Sequence, residues 1–242
     1  MLDLLREEMR AIADPDKAQV LQRFFKTGPG QYGQGDILMG ITVPASRQVA
    51  KKYAIRGISL ADVEVLLHSQ IHEERLVALL ILIQKYRDNP EGVARFYLEN
   101  LAWVNNWDLV DLSAPAILGT FLLRDNNNDR KDRSVLYRLA RSNVLWERRV
   151  SIVSTQAFIR KNDFADTLKI SEMLLGDAHD LVHKAVGWML REVGKRDPAL
   201  EEQFLKKHYK KMPRTTLRYA IEIFSEEKRR AYMEGTMARS SS

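Results

Sequence analysis

The sequence predicts an all-α protein, and three observations lead to this prediction. Apolar residues recur with the 3.6-residue period of an amphipathic helix along almost the whole chain. No clear run of alternating β-branched residues is found, and only 12 glycines and 7 prolines interrupt the 242 residues. The breaks between periodic segments carry turn chemistry, as in Asp88-Asn89-Pro90 and Arg196-Asp197-Pro198.

The periodic segments can be placed in order along the chain. They predict helices over 17–26, 44–56, 59–68, 76–83 with its flanks, 91–102, 107–123, 131–141, 145–160, 163–175, 178–194, 198–208 and 213–230. The eight apolar residues of 76–83 lie between charged ends, which is typical of a buried helix. Asp197-Pro198 predicts a helix N-cap followed by proline at the first helical position.

The segment 27–40 differs from the rest because it holds five of the twelve glycines. A phosphate-binding loop would need a strand before it and a Lys-Ser/Thr ending, and neither is present. We therefore expect a flexible connection between helices. Residues 1–234 are predicted to form a single domain, and the small polar residues 235–242 are expected to be a disordered tail or a cloning remnant.

Composition excludes several classes of protein. The absence of cysteine excludes disulfide frameworks, cysteine zinc sites, iron–sulfur clusters and thiol nucleophiles. No apolar stretch is long enough for a membrane span and no signal peptide opens the chain, so we expect a cytoplasmic protein of bacterial, intracellular type. The net charge of +6 and pI near 9.4 give weak support to a polyanionic partner.

Helix pairs recur every 34–38 residues, which is the signature of an α-solenoid. When the second helix of each pair is aligned, one column of residues falls in register: Arg75, Asp111, Arg149, Lys184 and Arg218. Equivalent positions of a solenoid line one face, so the four cations predict a concave basic groove for a nucleic-acid backbone. The lone carboxylate would repel that backbone, although Asp111 could also simply neutralise Arg75 or Arg149.

Tryptophans accompany this column. Trp107 lies one helical turn before Asp111, and Trp188 lies one turn after Lys184. Trp146 could belong to the core or to the groove. A carboxylate between aromatic faces can stabilise a developing positive charge, such as the oxocarbenium-like sugar formed when a cationic alkylpurine leaves. Simple ligand binding fits the same residues.

These residues carry a resemblance to a known family. Trp107-Asp108-Leu109-Val110-Asp111, Trp146-Glu147-Arg148-Arg149 and Lys184-Ala185-Val186-Gly187-Trp188-Met189-Leu190-Arg191-Glu192 resemble the AlkD-like DNA alkylation repair glycosylases. The stretch from Lys26 to Asp36, the segment Gly40-Ile41-Thr42-Val43-Pro44 and Gln84-Lys85-Tyr86 are similar to bacterial members. The resemblance covers about residues 1–230.

The resemblance implies a superhelix of HEAT-like repeats that holds duplex DNA in its concave basic groove. It implies excision of cationic N3- and N7-alkylated purines without base flipping, unlike most enzymes that act on bases. By motif, Trp107, Asp111 and Trp188 would contact the sugar of the lesion, and Arg149 and Arg191 would contact phosphates. An aromatic contact of some members maps near Phe24, which lacks a hydroxyl. The chain has the tryptophan–aspartate set, Trp107, Asp111 and Trp188, that an inactive branch of the family lacks.

Other charged residues receive structural interpretations. His68/His72 and His179/His183 are spaced for a shared helix face, but neither pair carries the metalloprotease glutamate, and surface histidines are favoured. Glu73-Glu74 and Glu201-Glu202 are expected to be ordinary helix-surface charges. The run Lys206-Lys207-His208-Tyr209-Lys210-Lys211 fits a solvated face or a phosphate contact about equally well.

We therefore predict a monomeric base-excision-repair glycosylase that hydrolyses the N-glycosidic bond of alkylated purines in duplex DNA without a metal or organic cofactor. Asp111, Trp107 and Trp188 are the predicted catalytic residues. The predicted DNA-binding residues are Arg149, Arg191, Lys184, Arg218 and Arg75. The alternative is a non-catalytic HEAT-like module that binds DNA or protein through the same groove.

Overall fold

The described part of the chain is mostly helical, as the sequence predicts. A computed structural model describes residues 1–123, 125–126, 129–130 and 132–236. By its internal contacts the chain divides into two compact units, Met1–Ser113 and Ala114–Ser242.

The first unit consists of seven α-helices and one 3₁₀ turn. They are α1 (Leu2–Ala11), α2 (Pro15–Phe24), α3 (Val43–Ile55), α4 (Leu60–Leu67), α5 (His72–Lys85), α6 (Pro90–Glu99), the 3₁₀ turn Leu101–Trp103 and α7 (Trp107–Ser113). Helix α5 packs against α3, α4 and α7 and is buried from His72 to Leu82. The predicted buried helix at 76–83 is therefore confirmed.

Side-chain caps explain where several of these helices begin. Asp14 accepts a hydrogen bond from the backbone amide of Lys17 at 3.0 Å, and Pro15 occupies the first position of α2. Asn89 and Pro90 repeat this arrangement at α6. Each cap satisfies an amide that the first helical turn leaves without a partner.

The second unit is also helical apart from one short strand pair. It contains a π-helical turn Pro115–Gly119, α8 (Thr120–Leu123), the antiparallel pair β1 (Asp125–Asn126) and β2 (Asp129–Arg130), α9 (Ser134–Ala140), α10 (Leu145–Ser154), α11 (Gln156–Ile159), α12 (Ala165–Leu174), α13 (Asp180–Gly194), α14 (Pro198–His208), α15 (Arg214–Ala220), a 3₁₀ turn Ile221–Ile223 and α16 (Glu226–Glu234). The predicted cap at Asp197 is confirmed, since its side chain accepts from the Leu200 amide at 2.9 Å.

Helix α13 is the central packing element of this unit. It contacts α10, α12, α14 and α15. At Gly187 a Cβ atom would lie 2.5 Å from the Thr216 carbonyl oxygen and 2.5 Å from the Tyr219 Cβ. Glycine therefore permits the close approach of α13 to α15, beside the half-buried Trp188.

Four predicted helices are interrupted. The segment 91–102 changes at Asn100 from α6 to the 3₁₀ turn. The segment 107–123 passes through the π-helical turn, and 145–160 divides at Thr155. The segment 213–230 breaks where Ser225 leaves the helix and caps α16 through the Lys228 amide at 3.4 Å. Helix α1 was not predicted. Of the expected tail, residues 237–242 lie outside the described residues.

Candidate functional site

The first unit contains a cavity of about 630 Å³ whose wall is almost entirely apolar. Helix α2 contributes one side of it, although none of its ten residues is buried. Leu76 of α5 and the loop through Ile41 contribute another side, and Trp107 and Asp111 of α7 complete the wall. The predicted tryptophan–aspartate pair of α7 therefore lies on the wall of an apolar cavity.

Trp107 is held by aromatic contacts and by a backbone hydrogen bond. Its indole stacks on Phe25 with ring centroids 5.5 Å apart, and Phe24 meets it edge-on at 5.8 Å. The Trp107 amide donates to the side-chain oxygen of Asn106 at 2.8 Å. The family resemblance placed Phe24 near this site, whereas no sequence pattern indicated Phe25 or Asn106.

Asp111 lies one helical turn after Trp107, at the spacing the sequence predicted. The residue is half-buried and belongs to the cavity wall. A carboxylate beside an indole and largely apolar surroundings experiences less screening than one in water. The pair could therefore interact strongly with a cationic group that enters the cavity.

A buried charged cluster lies behind this wall and consists of Asp36, His72, Arg75 and Asp108. His72 Nδ1 is 3.1 Å from Asp36 Oδ2, and its Nε2 is 2.8 Å from Asp108 Oδ2. Arg75 Nη2 lies 2.6 Å from the same Asp36 oxygen. Asn106 Nδ2 also donates to Asp36, at 3.4 Å. Two carboxylates thus meet two cations inside the fold.

The cluster changes the protonation of its members. Burial lowers the pKa of His72, but the hydrogen bonds with Asp108 and Asp36 outweigh burial and raise the pKa to about 9. Burial raises the pKa of Asp36, but the hydrogen bond from His72 and the charge of Arg75 hold it below its usual value. At neutral pH, His72 is therefore an imidazolium between carboxylates.

Glu73 fixes the loop that borders the cavity. Its carboxylate accepts the backbone amides of Met39 at 2.9 Å, Gly40 at 2.8 Å and Ile41 at 3.2 Å. Gly40 has φ +78°, and a Cβ there would lie 2.0 Å from the Asp14 carbonyl oxygen. The expectation of a flexible connection over 27–40 is therefore wrong for its last residues, which Glu73 anchors.

The predicted column is regular in the structure. Asp111, Arg149, Lys184 and Arg218 are each the fifth residue of their helices, and Arg75 is the fourth residue of α5. Four of the five residues therefore share one position in their helices, and Arg75 differs by one residue.

Burial does not support a phosphate contact by Arg75. Arg75 is only 2% exposed, pairs with Asp36 and donates to the Ser69 carbonyl oxygen at 2.8 Å. The prediction that Arg75 binds DNA is therefore wrong, because its guanidinium is buried and already bonded to Asp36 and to the Ser69 carbonyl oxygen within the first unit. Arg149 is 5% exposed and donates to the Leu181 carbonyl oxygen, so it too is largely enclosed.

The remaining predicted residues lie in the second unit and are more accessible. Arg218 is exposed on α15. Lys184 pairs with Asp180 at 2.8 Å, and Arg191 pairs with Glu222. Trp188 is half-buried on α13. Trp146, which the sequence left between core and groove, is a core residue with 9% exposure.

Several expectations about surface charges are wrong. His72 is 1% exposed, and Glu73, Glu74 and Glu201 are equally enclosed. Glu74 forms a bidentate pair with Arg6 at 2.8 and 3.0 Å. For His72, Glu73 and Glu74, the position beside the apolar run of α5 was the only sequence signal of this burial. Glu201 lies on α14.

No helix in the described part of the chain combines the length and apolar character that crossing a bilayer requires. Within the same residues, no three histidine, aspartate or glutamate side chains form a group able to hold a metal ion.

Comparison with known proteins defines the class to which this fold and site belong. The family model for DNA alkylation repair enzymes matches residues 5–224, so the chain belongs to the DNA alkylation repair enzyme family. Comparison with curated protein sequences gives no match.

Two solved structures are similar to this chain in fold. A predicted DNA alkylation repair enzyme from Enterococcus faecalis has a TM-score of 0.68 at 16% identity, covering 88% of this chain and 97% of its own. AlkD2 from Streptococcus mutans has a TM-score of 0.56 at 16% identity, covering 87% and 98%. At these identities the likeness establishes the all-α fold of the predicted solenoid class.

Proposed function

We propose that the protein is a DNA glycosylase that hydrolyses the N-glycosidic bond of cationic N3- or N7-alkylated purines in duplex DNA without flipping the base. The observation that carries the proposal is the pairing of Trp107 with Asp111 on the wall of an apolar cavity. Membership of the DNA alkylation repair family supports a DNA substrate.

The proposed reaction requires one carboxylate. The bond between the sugar C1′ and the purine nitrogen breaks, and its electron pair neutralises the positive charge of the base. The sugar becomes an oxocarbenium-like cation that the Asp111 carboxylate stabilises. A water molecule that Asp111 positions then attacks C1′ and gives up a proton to the solvent. No general acid is needed, because the leaving base is already cationic.

The aromatic residues have a separate role in this proposal. Trp107, and Trp188 of the second unit, present flat faces that would hold the edge of the cationic sugar. Phe25 restricts the orientation of the Trp107 indole by stacking on it. The protein is proposed to act inside the cell as a monomer, without a metal or organic cofactor.

Phosphate contacts are proposed for Arg218, Lys184 and Arg191, whereas Arg149, which was predicted with them, is enclosed like Arg75. Arg218 offers the clearest test because it is exposed on α15. Its replacement by glutamine should weaken duplex binding and reduce the slope of log K against log salt by about 1. An unchanged slope would remove Arg218 from the DNA-binding surface.

The decisive experiment measures release of N7-methylguanine from a duplex under single-turnover conditions. Asp111→Asn should bind the duplex normally but release base roughly 10²–10³ times more slowly. Asp3→Asn, which alters an exposed carboxylate on α1, is the matched control. Equal rates for Asp111→Asn and wild type would contradict the assignment of Asp111.

The alternative predicts a different outcome. A non-catalytic module would bind duplex DNA with a salt-dependent affinity and release no base. A protein-binding module would do neither. Base release by the wild-type protein therefore separates the enzyme from both alternatives.

A further inference from the structure

The proposed chemistry assigns no role to His72, although its environment is unusual. It is 1% exposed, and each ring nitrogen faces a different carboxylate, Asp36 or Asp108. Both nitrogens of a histidine are donors only when the ring is protonated. The geometry therefore selects the imidazolium form.

His72 is connected to Trp107 by two independent routes. Its ring packs against Phe25 with centroids 4.6 Å apart, and Phe25 in turn stacks on the Trp107 indole. Its Nε2 also holds Asp108, which directly follows Trp107 in the first turn of α7. The aromatic contact fixes the indole, and the hydrogen bond fixes the backbone that carries it.

Resting on the proposed function, we infer that the imidazolium of His72 is a positioning residue: it locks the first turn of α7 and thereby sets Trp107 and Asp111 against the cationic sugar. His72 is not itself a catalytic residue, because it acts through Phe25 and Asp108.

The groups around His72 explain why its proton matters. The loop contributes Asp36, α7 contributes Asp108, and α5 contributes Arg75, whose charge opposes protonation of His72. With His72 protonated, two negative and two positive charges balance. Loss of the proton leaves a nitrogen lone pair facing a carboxylate oxygen. Loss of the proton from Nε2 places that lone pair against Asp108, and the repulsion would release the first turn of α7.

The first measurement needs no substrate. Protein labelled with 5-fluorotryptophan gives one ¹⁹F signal for each of four tryptophans, and the Trp107 signal is identified by its absence in Trp107→Phe. The Trp107 signal should shift with a midpoint near pH 9 in the wild type. The shift should disappear in His72→Gln and persist in His68→Gln, a variant of the exposed histidine of the same unit.

The second measurement follows single-turnover release of N7-methylguanine against pH, corrected for spontaneous release. The rate should fall above pH 9 in the wild type. His72→Gln should be slower by up to about 10²-fold at neutral pH, with unchanged affinity for the duplex, and should lack the alkaline fall. In Asp36→Asn, which removes one partner, the fall should move to lower pH.

The two measurements separate the inference from the proposed function. If the wild type releases no base, the proposed function fails, and the ¹⁹F shift still decides whether His72 holds Trp107. If the Trp107 signal titrates identically in His72→Gln and wild type, the positioning role is wrong. Asp36→Asn provides the same test should His72→Gln fail to fold. A slower Asp36→Asn with an unmoved alkaline fall would also overturn the inference, because a structural defect alone would produce it.

Discussion

Glu73 offers a direct test of how the border of the cavity is held. Glu73 is 2% exposed, and its carboxylate accepts hydrogen bonds from three consecutive backbone amides, from Met39 to Ile41. Replacing it with alanine removes the acceptor without offering a substitute. Gly40 and Ile41 are buried residues, so their amides would lose their partner without gaining water, whereas the amide of Met39 is only partly enclosed.

The expected loss of stability follows from those two amides. A buried donor left without a partner costs about 1–3 kcal/mol, so Glu73→Ala should lower the free energy of unfolding by about 2–6 kcal/mol. That is a large part of the roughly 5–15 kcal/mol that a typical domain possesses. Glu73→Gln keeps one oxygen acceptor and should lose less than Glu73→Ala.

Guanidinium unfolding, followed by circular dichroism and by tryptophan fluorescence, would measure the loss. Hydrogen exchange of the Gly40 and Ile41 amides would report the same change locally, without assuming that both units unfold together. Glu64→Ala, at an exposed position of α4, is the matched control and should stay within about 0.5 kcal/mol of the wild type. An equally small change in Glu73→Ala, with unaltered exchange, would refute the reasoning.

Three further predictions concern stability. The pKa of His72 is about 9 in the native protein and about 6.5 in an unfolded chain. The free energy of unfolding should therefore fall by about 3 kcal/mol as the pH rises across that window. In His72→Gln, denaturation experiments should show no such fall. Burial raises the pKa of Glu201 to about 8, so its component of stability should be lost between about pH 4.5 and 8, and Glu201→Gln should be more stable than wild type by about 4 kcal/mol at pH 8. Gly187→Ala should destabilise by about 1–3 kcal/mol because its Cβ would overlap α15, whereas Gly176→Ala, which faces open space, should be neutral in the same denaturation assay.

The sequence predicted those features that depend on neighbours along the chain. Helical periodicity and caps gave the order of the helices, and i,i+4 spacing placed Trp107 and Asp111 on one face of α7. The breaks near Thr155 and Ser225 were missed because the apolar period continues through them. Propensity is a weak guide to such interruptions, since tertiary packing decides whether a helix continues.

The charged start of α5 shows why the rest could not be predicted. His72, Glu73, Glu74 and Arg75 look like a solvated helix end when they are read in sequence. Each is buried because it meets a partner distant in the chain, and burial of a charge is tolerated only where such a partner exists. The sequence contains the partners, but it does not show which residues will meet.

The spacing of the proposed site is determined by neighbours along the chain, whereas its orientation is determined by residues distant in sequence. The separation of Trp107 and Asp111 is set by one helical turn, and any helix with this pattern would reproduce it. The orientation of the indole depends instead on Phe25 and on the proton that His72 shares with its carboxylates. If the proposed function holds, a chain that keeps the tryptophan–aspartate pattern but lacks these supports should therefore bind DNA while excising alkylated bases slowly. Transplanting His72 and its two carboxylates into such a chain should raise the rate of excision more than the affinity for DNA.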